Sequence, residues 1–198
     1  MGRMGYKRQK KGVNKAAVAV ICIAVAAAFI LACIFVLIPQ IERAQYKLEY
    51  AELIEKYAAQ YGIDPYFVAA VIHTESGFDP EAISSAGAMG LMQIMPETGE
   101  WIAGKLGVED FTADDLLNPE TNIEMGCWYL QFLQERFDTL PVIMAAYNAG
   151  HNKVKEWLQD PQYSDGTNLT NIPYEETDNY VKKVTKAYEK YKELYELE

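Results

Sequence analysis

Residues 16–38 form a run of 23 uncharged positions, nearly all Ala, Val, Ile, Leu or Phe, with no polar stripe at any helical or strand period. Past this run the pattern changes to apolar residues at three- and four-residue spacing, the mark of helices with one buried face. Leu48, Ala51, Ile54, Tyr57, Ala58 and Tyr61 follow it, and Gly62 closes that segment. Asp64-Pro65 supplies an N-cap and a first-turn proline for the next helix, whose face Phe67, Val68, Val71 and Ile72 runs toward Gly77. Pro96 opens another helix with Trp101, Ile102 and Leu106. Asn118-Pro119 opens a longer one through Ile123, Cys127, Leu130 and Leu133. Pro141 precedes a short apolar helix over 142–147 that Asn148-Ala149-Gly150 ends, and Val154, Trp157 and Leu158 predict a further turn or two. A polar loop covers 159–171, and Pro173 starts a last helix toward Tyr195. No segment alternates with period two. Short helices around one glycine-rich irregular stretch at 84–90 predict a compact all-α domain.

As a helix, the uncharged run is roughly 35 Å long at ~1.5 Å per residue. A bilayer's hydrocarbon core is about 30 Å thick, so the run can span it with some tilt. Arg3, Lys7, Arg8, Lys10, Lys11 and Lys15 lie on one side of it with no acid among them, which holds the N-terminus in the cytoplasm. A cleaved signal peptide is the alternative. Ten more apolar residues follow Ala26-Ala27-Ala28, however, and that length favours an uncleaved signal-anchor. Ile30-Leu31-Ala32-Cys33 faintly resembles a lipoprotein box, but residues 34–38 continue the membrane core beyond it. The start Met-Gly-Arg-Met-Gly-Tyr lacks the Ser or Thr of a myristoylation signal. The expected organisation is a basic cytoplasmic segment 1–15, a transmembrane helix 16–38, a juxtamembrane helical connector 39–52 and a folded domain 53–198.

Charge sharpens this division. Residues 1–38 carry +6, so the net −10 leaves 12 basic and 28 acidic side chains, net −16, on the other 160 residues. Such a domain repels phosphate backbones, and no nucleic-acid partner is expected. The composition excludes collagen-like and disordered chains. Cys127 is alone in the exported part, so no intramolecular disulfide can staple it, and its apolar neighbours predict a buried, inert thiol. Two histidines, His73 and His151, and a lone cysteine offer a metal few ligands. His73-Thr74-Glu75 begins like a deaminase signature, yet no Pro-Cys-x-x-Cys follows. There is no Gly-x-Ser-x-Gly elbow and no phosphate-cradling glycine loop.

What remains is Glu75. It ends a helix of aliphatic residues and precedes Ser76-Gly77-Phe78, so its carboxyl is about to be walled by apolar side chains. Burial disfavours the charged form, which turns a glutamate into a general acid near neutral pH, and a helix C-terminus disfavours the carboxylate further. A solvated glutamate at a helix end is the bland alternative.

The sequence around Glu75 decides between them. Glu75-Ser76-Gly77-Phe78, Ala82-Ile83-Ser84, and Gly87-Ala88-Met89-Gly90-Leu91-Met92-Gln93-Ile94-Met95-Pro96 resemble the lytic transglycosylase family. So do Ala146-Tyr147-Asn148-Ala149-Gly150 and, downstream, Ile172-Pro173-Tyr174-Glu175-Glu176-Thr177 with Tyr180-Val181, in the same order. The likeness runs from about Ile54 to Tyr191. It implies a goose-type lysozyme-like α fold and, with no cofactor, cleavage of the β-1,4 bond between N-acetylmuramic acid and N-acetylglucosamine in peptidoglycan. Glu75 would be the single acid and base, and the product a 1,6-anhydro sugar formed without water.

Other roles carry over position by position. Ser84 matches a serine near the sugar's acetamido group, a loop cap being equally open. Gln93 matches a groove amide and Met95 an apolar groove wall. Tyr147 matches a tyrosine beside the catalytic acid, and Glu176 a second acid lining the cleft. Asn148, Ser76 and Thr177 look structural. The family's Pro-Gly-basic-Val after Asn-Ala-Gly is here His151-Asn152-Lys153-Val154, which leaves His151 a rim residue with no assigned role. The implied partners are peptidoglycan strands and, through residues 16–38, the cytoplasmic membrane, with the domain on the wall side; no protein partner is implied. A hydrolytic muramidase, with Glu176 or Asp79 as second carboxylate, and a non-catalytic wall-binding module are the competing possibilities.

Overall fold

The structure, a computed structural model, describes residues 15–197; the basic residues before Lys15 lie outside the described residues. It divides into two units, residues 1–45 and 46–198. In the first, α1 (Lys15–Ala32), a π-helical turn (Cys33–Leu37) and α2 (Ile38–Gln45) form one continuous helix. Residues 18–45 are long and apolar enough to cross a membrane. Val20, Ile23, Val25, Phe29 and Phe35 are each more than 60% exposed, so the helix buries almost none of its apolar surface within the chain. Pro39 accounts for the π turn. It lacks an N–H and its ring crowds the preceding turn, and the widened register, with the Ile38 N–H bonded to the Cys33 carbonyl, takes up the mismatch.

The second unit contains α3 (Ala51–Tyr61), α4 (Pro65–Glu75), α5 (Pro96–Leu106), α6 (Pro119–Gln134), α7 (Leu140–Ala149), α8 (His151–Leu158) and α9 (Glu175–Leu194), with a 3-10 turn at Ala113–Leu117. Among the described residues there are no strands, only isolated bridges such as Ile83 to Met89 and Met89 to Ile94. The all-helical architecture matches the sequence pattern. The Asp64 carboxylate caps α4 through the Tyr66 N–H, the Asn118 side chain caps α6 through the Thr121 N–H, and Pro65, Pro96 and Pro119 each stand in a first turn. Two details differ from the pattern. Residues 47–50 are not helical, and Tyr46 is buried in this unit. The last helix begins at Glu175 rather than at Pro173, because its first turn is set by Glu175, Glu176 and Asp178 at the positive end of the dipole.

Helix α4 is the axis of the core. Its residues 67–72 are buried on every side, so no amphipathic face exists along this stretch. α9 packs along it, α7 packs on α9, and α3 bridges α4 and α6. The glycine-rich loop after α4 is built into the core rather than laid over it: Met89, Leu91, Met92 and Ile94 are buried. Gly90, at φ +74°, is required there, since a Cβ would collide with the Leu116 carbonyl and the Asn122 side chain. Cys127 is fully buried and burial pushes its thiol far up, an inert side chain as expected.

Candidate active site

Glu75 is the last residue of α4 and is partly buried. The chain leaves it through Ser76, whose hydroxyl donates to the Leu91 carbonyl (2.8 Å) and the Ile72 carbonyl (3.2 Å). Those bonds tie the helix end to the glycine-rich loop and hold the carboxyl where α7 and α9 meet it. From α9 come Glu176 and Tyr180, one turn apart on the same face. Thr177, between them, donates to the Asn148 side chain (2.8 Å) and so pins the start of α9 to the end of α7. From α7 comes Tyr147, whose hydroxyl donates to the Met92 carbonyl (2.8 Å).

These surroundings set the charge state of Glu75. Desolvation, the largest effect, raises its pKa from 4.5 to about 7; the Tyr180 hydroxyl works in the opposite direction, and the nearby Glu176 carboxylate adds to the rise. The Tyr180 hydroxyl is buried and makes no hydrogen bond of standard geometry among the described residues, and the group it acts on most strongly is the Glu75 carboxyl. Burial first, and the Glu75 charge second, push the Tyr147 and Tyr180 phenols well above their ordinary value. Both stay neutral. The result is a carboxyl whose pKa is raised toward neutral pH, beside two neutral phenols.

The other residues singled out in the sequence fall in three places. Gln93, Met95 and Tyr147 line one cleft of about 300 Å³, with Thr98, Tyr129 and Asn148. Gln93 sits there in a left-handed conformation (φ +48°), and its amide nitrogen donates to the Ala82 (3.0 Å) and Gly90 (2.9 Å) carbonyls. That nitrogen is thus engaged in holding the loop, and the amide oxygen is the part left for a ligand. Met95 is 40% exposed, as a groove wall needs, whereas Met92 is core. Glu176 stands exposed beside Glu75. Ser84 is exposed too, but its hydroxyl accepts the Ala88 N–H (3.0 Å) and closes its own turn, and it lines neither cleft described here.

A larger depression of about 580 Å³ continues from the first past Thr98 and Tyr129, walled by Trp101, His151, Lys153 and Glu156. Trp101 meets Trp128 and Phe132 edge-on, so its exposed face is held at a fixed angle, and His151 meets Phe132 the same way. Together the two clefts make a groove of aromatic, amide and charged side chains that suits a polymer with both apolar and hydroxylated faces. The sequence marked Tyr180 only as part of a family motif and Trp101 only as part of a helix's apolar face, with no site role for either, and did not mark Tyr129. Tyr180 carried one further signal, four residues after Glu176 on one helix face.

The family model "Transglycosylase SLT domain" matches residues 52–170. A "Membrane-bound lytic murein transglycosylase C" of Actinobacillus pleuropneumoniae is 33% identical over 167 residues, covering 72% of this chain and 46% of that one. The 70 kDa soluble lytic transglycosylase Slt70 of Escherichia coli superposes with a TM-score of 0.69 at 32% identity, over 77% of this chain and 25% of its own. An inactive glutamate-to-glutamine mutant of lytic transglycosylase Slt from Pseudomonas aeruginosa superposes with a TM-score of 0.66 at 29% identity, over 75% and 25%. The chain therefore spans a quarter to under half of the length of these relatives, and shares its lysozyme-like α fold with Slt70. On a match that extends over more than half its length, this chain belongs to the transglycosylase SLT domain family.

Proposed function

We propose that this chain is a membrane-anchored lytic transglycosylase that cuts peptidoglycan between N-acetylmuramic acid and N-acetylglucosamine. The observation that carries the reading is Glu75, a single carboxyl raised to about 7 whose charge acts on Tyr147, a residue that lines the groove. In its protonated form Glu75 gives its proton to the glycosidic oxygen as the C1–O bond breaks. The positive charge growing at C1 is shared with the substrate's own N-acetyl carbonyl. The Glu75 carboxylate then takes the proton of the muramyl C6 hydroxyl, O6 closes on C1, and the enzyme is back in its starting state. No water is consumed, and one carboxyl with a pKa near the working pH can serve both steps. The Pseudomonas relative that is inactive as a glutamate-to-glutamine mutant supports an essential glutamate.

In this proposal residues 16–38 anchor the protein with its N-terminus in the cytoplasm, and residues 53–198 act on the wall side; the membrane-bound relative supports it. Ser84, Gln93, Met95, Tyr147 and Glu176 bind the glycan. The hydrolytic alternative has one observation in its favour, that the Glu176 charge acts on Glu75. Asp79 is the weaker second carboxylate, since it accepts the Glu81 N–H (3.0 Å) in its own turn. Mass spectrometry of digested sacculi separates the two. Anhydromuramyl ends are expected, and reducing muramyl ends would replace the transglycosylase reading by the hydrolytic one.

The pH profile gives a second check with opposite signs. Because the free enzyme must hold its proton, kcat/KM falls as pH rises through about 7. Tyr180 favours the carboxylate, so Tyr180→Phe raises the Glu75 pKa and moves the alkaline limb to higher pH. Glu176 disfavours it, so Glu176→Gln moves the limb to lower pH. Limbs that move together, or not at all, would remove Glu75 from control of the profile.

A further inference from the structure

The groove does not end at His151. His151 and Asn152, the first two residues of α8, line the larger depression and also a further pocket of about 340 Å³. Arg136, Phe137, Lys155 and Leu158 complete that pocket. Residues 39–198 carry 28 acidic side chains against 12 basic ones, yet no acid lines it. Its polar groups are held in place. The Arg136 guanidinium lies 3.5 Å over the Phe132 ring, and the His151 ring meets that same ring edge-on at 5.3 Å. Arg136 Nη1 donates to the Phe132 carbonyl (2.6 Å) and stands 3.5 Å from the Glu135 carboxylate. Both contacts fall on Nη1, which leaves Nε and Nη2 to offer the parallel pair of N–H groups that fits a carboxylate. Lys155, one turn along α8 from His151, is exposed and has no ion-pair partner among the described residues. Burial first, then the Arg136 and Lys155 charges, push the His151 pKa down, so its imidazole is neutral and keeps one N–H to donate.

The continuity of this pocket with the groove identifies its ligand. A glycan in the two clefts keeps its sugars on one side of the first turn of α8, so a group that reaches the far side must hang from a sugar on a chain of many atoms. In peptidoglycan the muramyl lactyl ether carries such a chain, the peptide stem, and the stem bears carboxylates. The lactyl carbonyl itself lies only a few atoms from the ring and stays with the sugar. We propose that Arg136 and Lys155, with His151 as a hydrogen-bond donor, form a subsite for a carboxylate of the peptide stem, and that this chain therefore prefers stem-bearing strands to stripped ones. The inference rests on the groove being a peptidoglycan site. Arg136 supplies the fork and Lys155 a second charge, while Phe137 and Leu158 give the stem an apolar wall. The surrounding excess of acids repels free anions, so a carboxylate tethered to a bound strand has the advantage of effective concentration.

Steady-state kinetics of the full chain in detergent on three soluble glycan strands test this. The strands are stem-bearing, stem-bearing with every carboxyl converted to its methyl amide, and stripped of stems by an amidase. KM is expected to rise about tenfold on amidation or stripping with kcat little altered, as loss of a charge-assisted contact made equally in the ground and transition states warrants. Arg136→Gln should raise KM for stem-bearing strands by a similar factor and make amidation of the strand nearly silent. Lys155→Gln, an exposed change away from the Phe132 ring, should do part of the same and so guards against a packing effect of the arginine variant. Equal KM on the three strands overturns the stem site. Variants that remain as sensitive to amidation as the parent overturn it too, since the contact then lies elsewhere. Stripped strands as good as stem-bearing ones, with amidated ones worse, give the pocket to the lactyl carboxylate that stripping exposes and overturn the stem assignment. Turnover of none of the strands overturns the transglycosylase reading itself, a failure distinct from the others.

Discussion

Replacing Glu75 by Gln is expected to lower peptidoglycan turnover by about 10³-fold or more, since general acid–base catalysis alone supplies 10²–10⁴-fold and this side chain serves both proton transfers. The amide keeps the shape of the carboxyl but can neither give nor take the proton. Binding of glycan fragments should survive, because the groove walls come from α5, α6, α7 and α8 rather than from α4. The fold should survive too, and the variant should be more stable than the parent at high pH. Glu75 has a folded pKa of about 7 against an ordinary 4.5, so between those values the native state binds more protons than the unfolded one. Parent stability therefore falls as pH rises through that window and stays lowered above it, while a neutral Gln contributes no such slope. Thermal melts across pH 4–8 should show the two proteins level at the acid end and the variant ahead at pH 8. Retained turnover would displace Glu75 as the acid, and a variant melting below its parent at pH 8 would mean the carboxylate is welcome where it sits.

The helix starts were legible because their chemistry is local. Asp64-Pro65 and Asn118-Pro119 hold a capping oxygen and a preset φ within a few residues of the turn they begin. Pro173 misled for the same reason: a proline fixes its own φ but does not oblige the next residues to be helical, and the acids at 175, 176 and 178 were the better marker. Glu75 could be found because a helix of aliphatic residues predicts an apolar wall. The role of its controller could not. Tyr180 stood in a motif of the family resemblance, but it reaches Glu75 from the far end of the chain, and no spacing rule connects α4 to α9. The π turn needed the coupling of Pro39 to the turn before it, which hydropathy does not record. Gln93 shows the limit most plainly. The family resemblance drew attention to its amide, and the structure spends half of that amide on loop carbonyls. Asn122 was passed over altogether, since one polar residue on a mostly apolar helix looks like an exposed position.

Asn122 is instead fully buried and is the point on which the glycine-rich loop hangs. Its side-chain oxygen accepts the Met92 N–H (2.7 Å), and its amide donates to the Met89 (3.0 Å) and Leu116 (2.8 Å) carbonyls. The Met92 N–H and the Leu116 carbonyl thus depend on one side chain, while the Met89 carbonyl also accepts the Ile94 N–H (3.0 Å). Asn122→Leu keeps the volume and strands the first two. At about 1–3 kcal/mol for each unsatisfied buried group, partly relieved by relaxation, the loss is roughly 2–5 kcal/mol. A domain of this size loses about 2–4 °C of melting temperature per kcal/mol, so a drop of roughly 5–15 °C is expected in a thermal melt. Asn122→Asp should fare no better, since it keeps the acceptor for Met92 but turns an oxygen on two carbonyls and buries a charge. The consequence reaches the chemistry through Met92, whose N–H is held by Asn122 and whose carbonyl receives the Tyr147 hydroxyl. Assayed well below its melting point, with Glu75 intact, Asn122→Leu should therefore turn over more slowly than the parent because Tyr147 and the Gln93 turn lose their fixed support. A melt within a few degrees of the parent would show that the Met92 N–H and the Leu116 carbonyl find other partners, and that the loop beside Glu75 is held by its own packing.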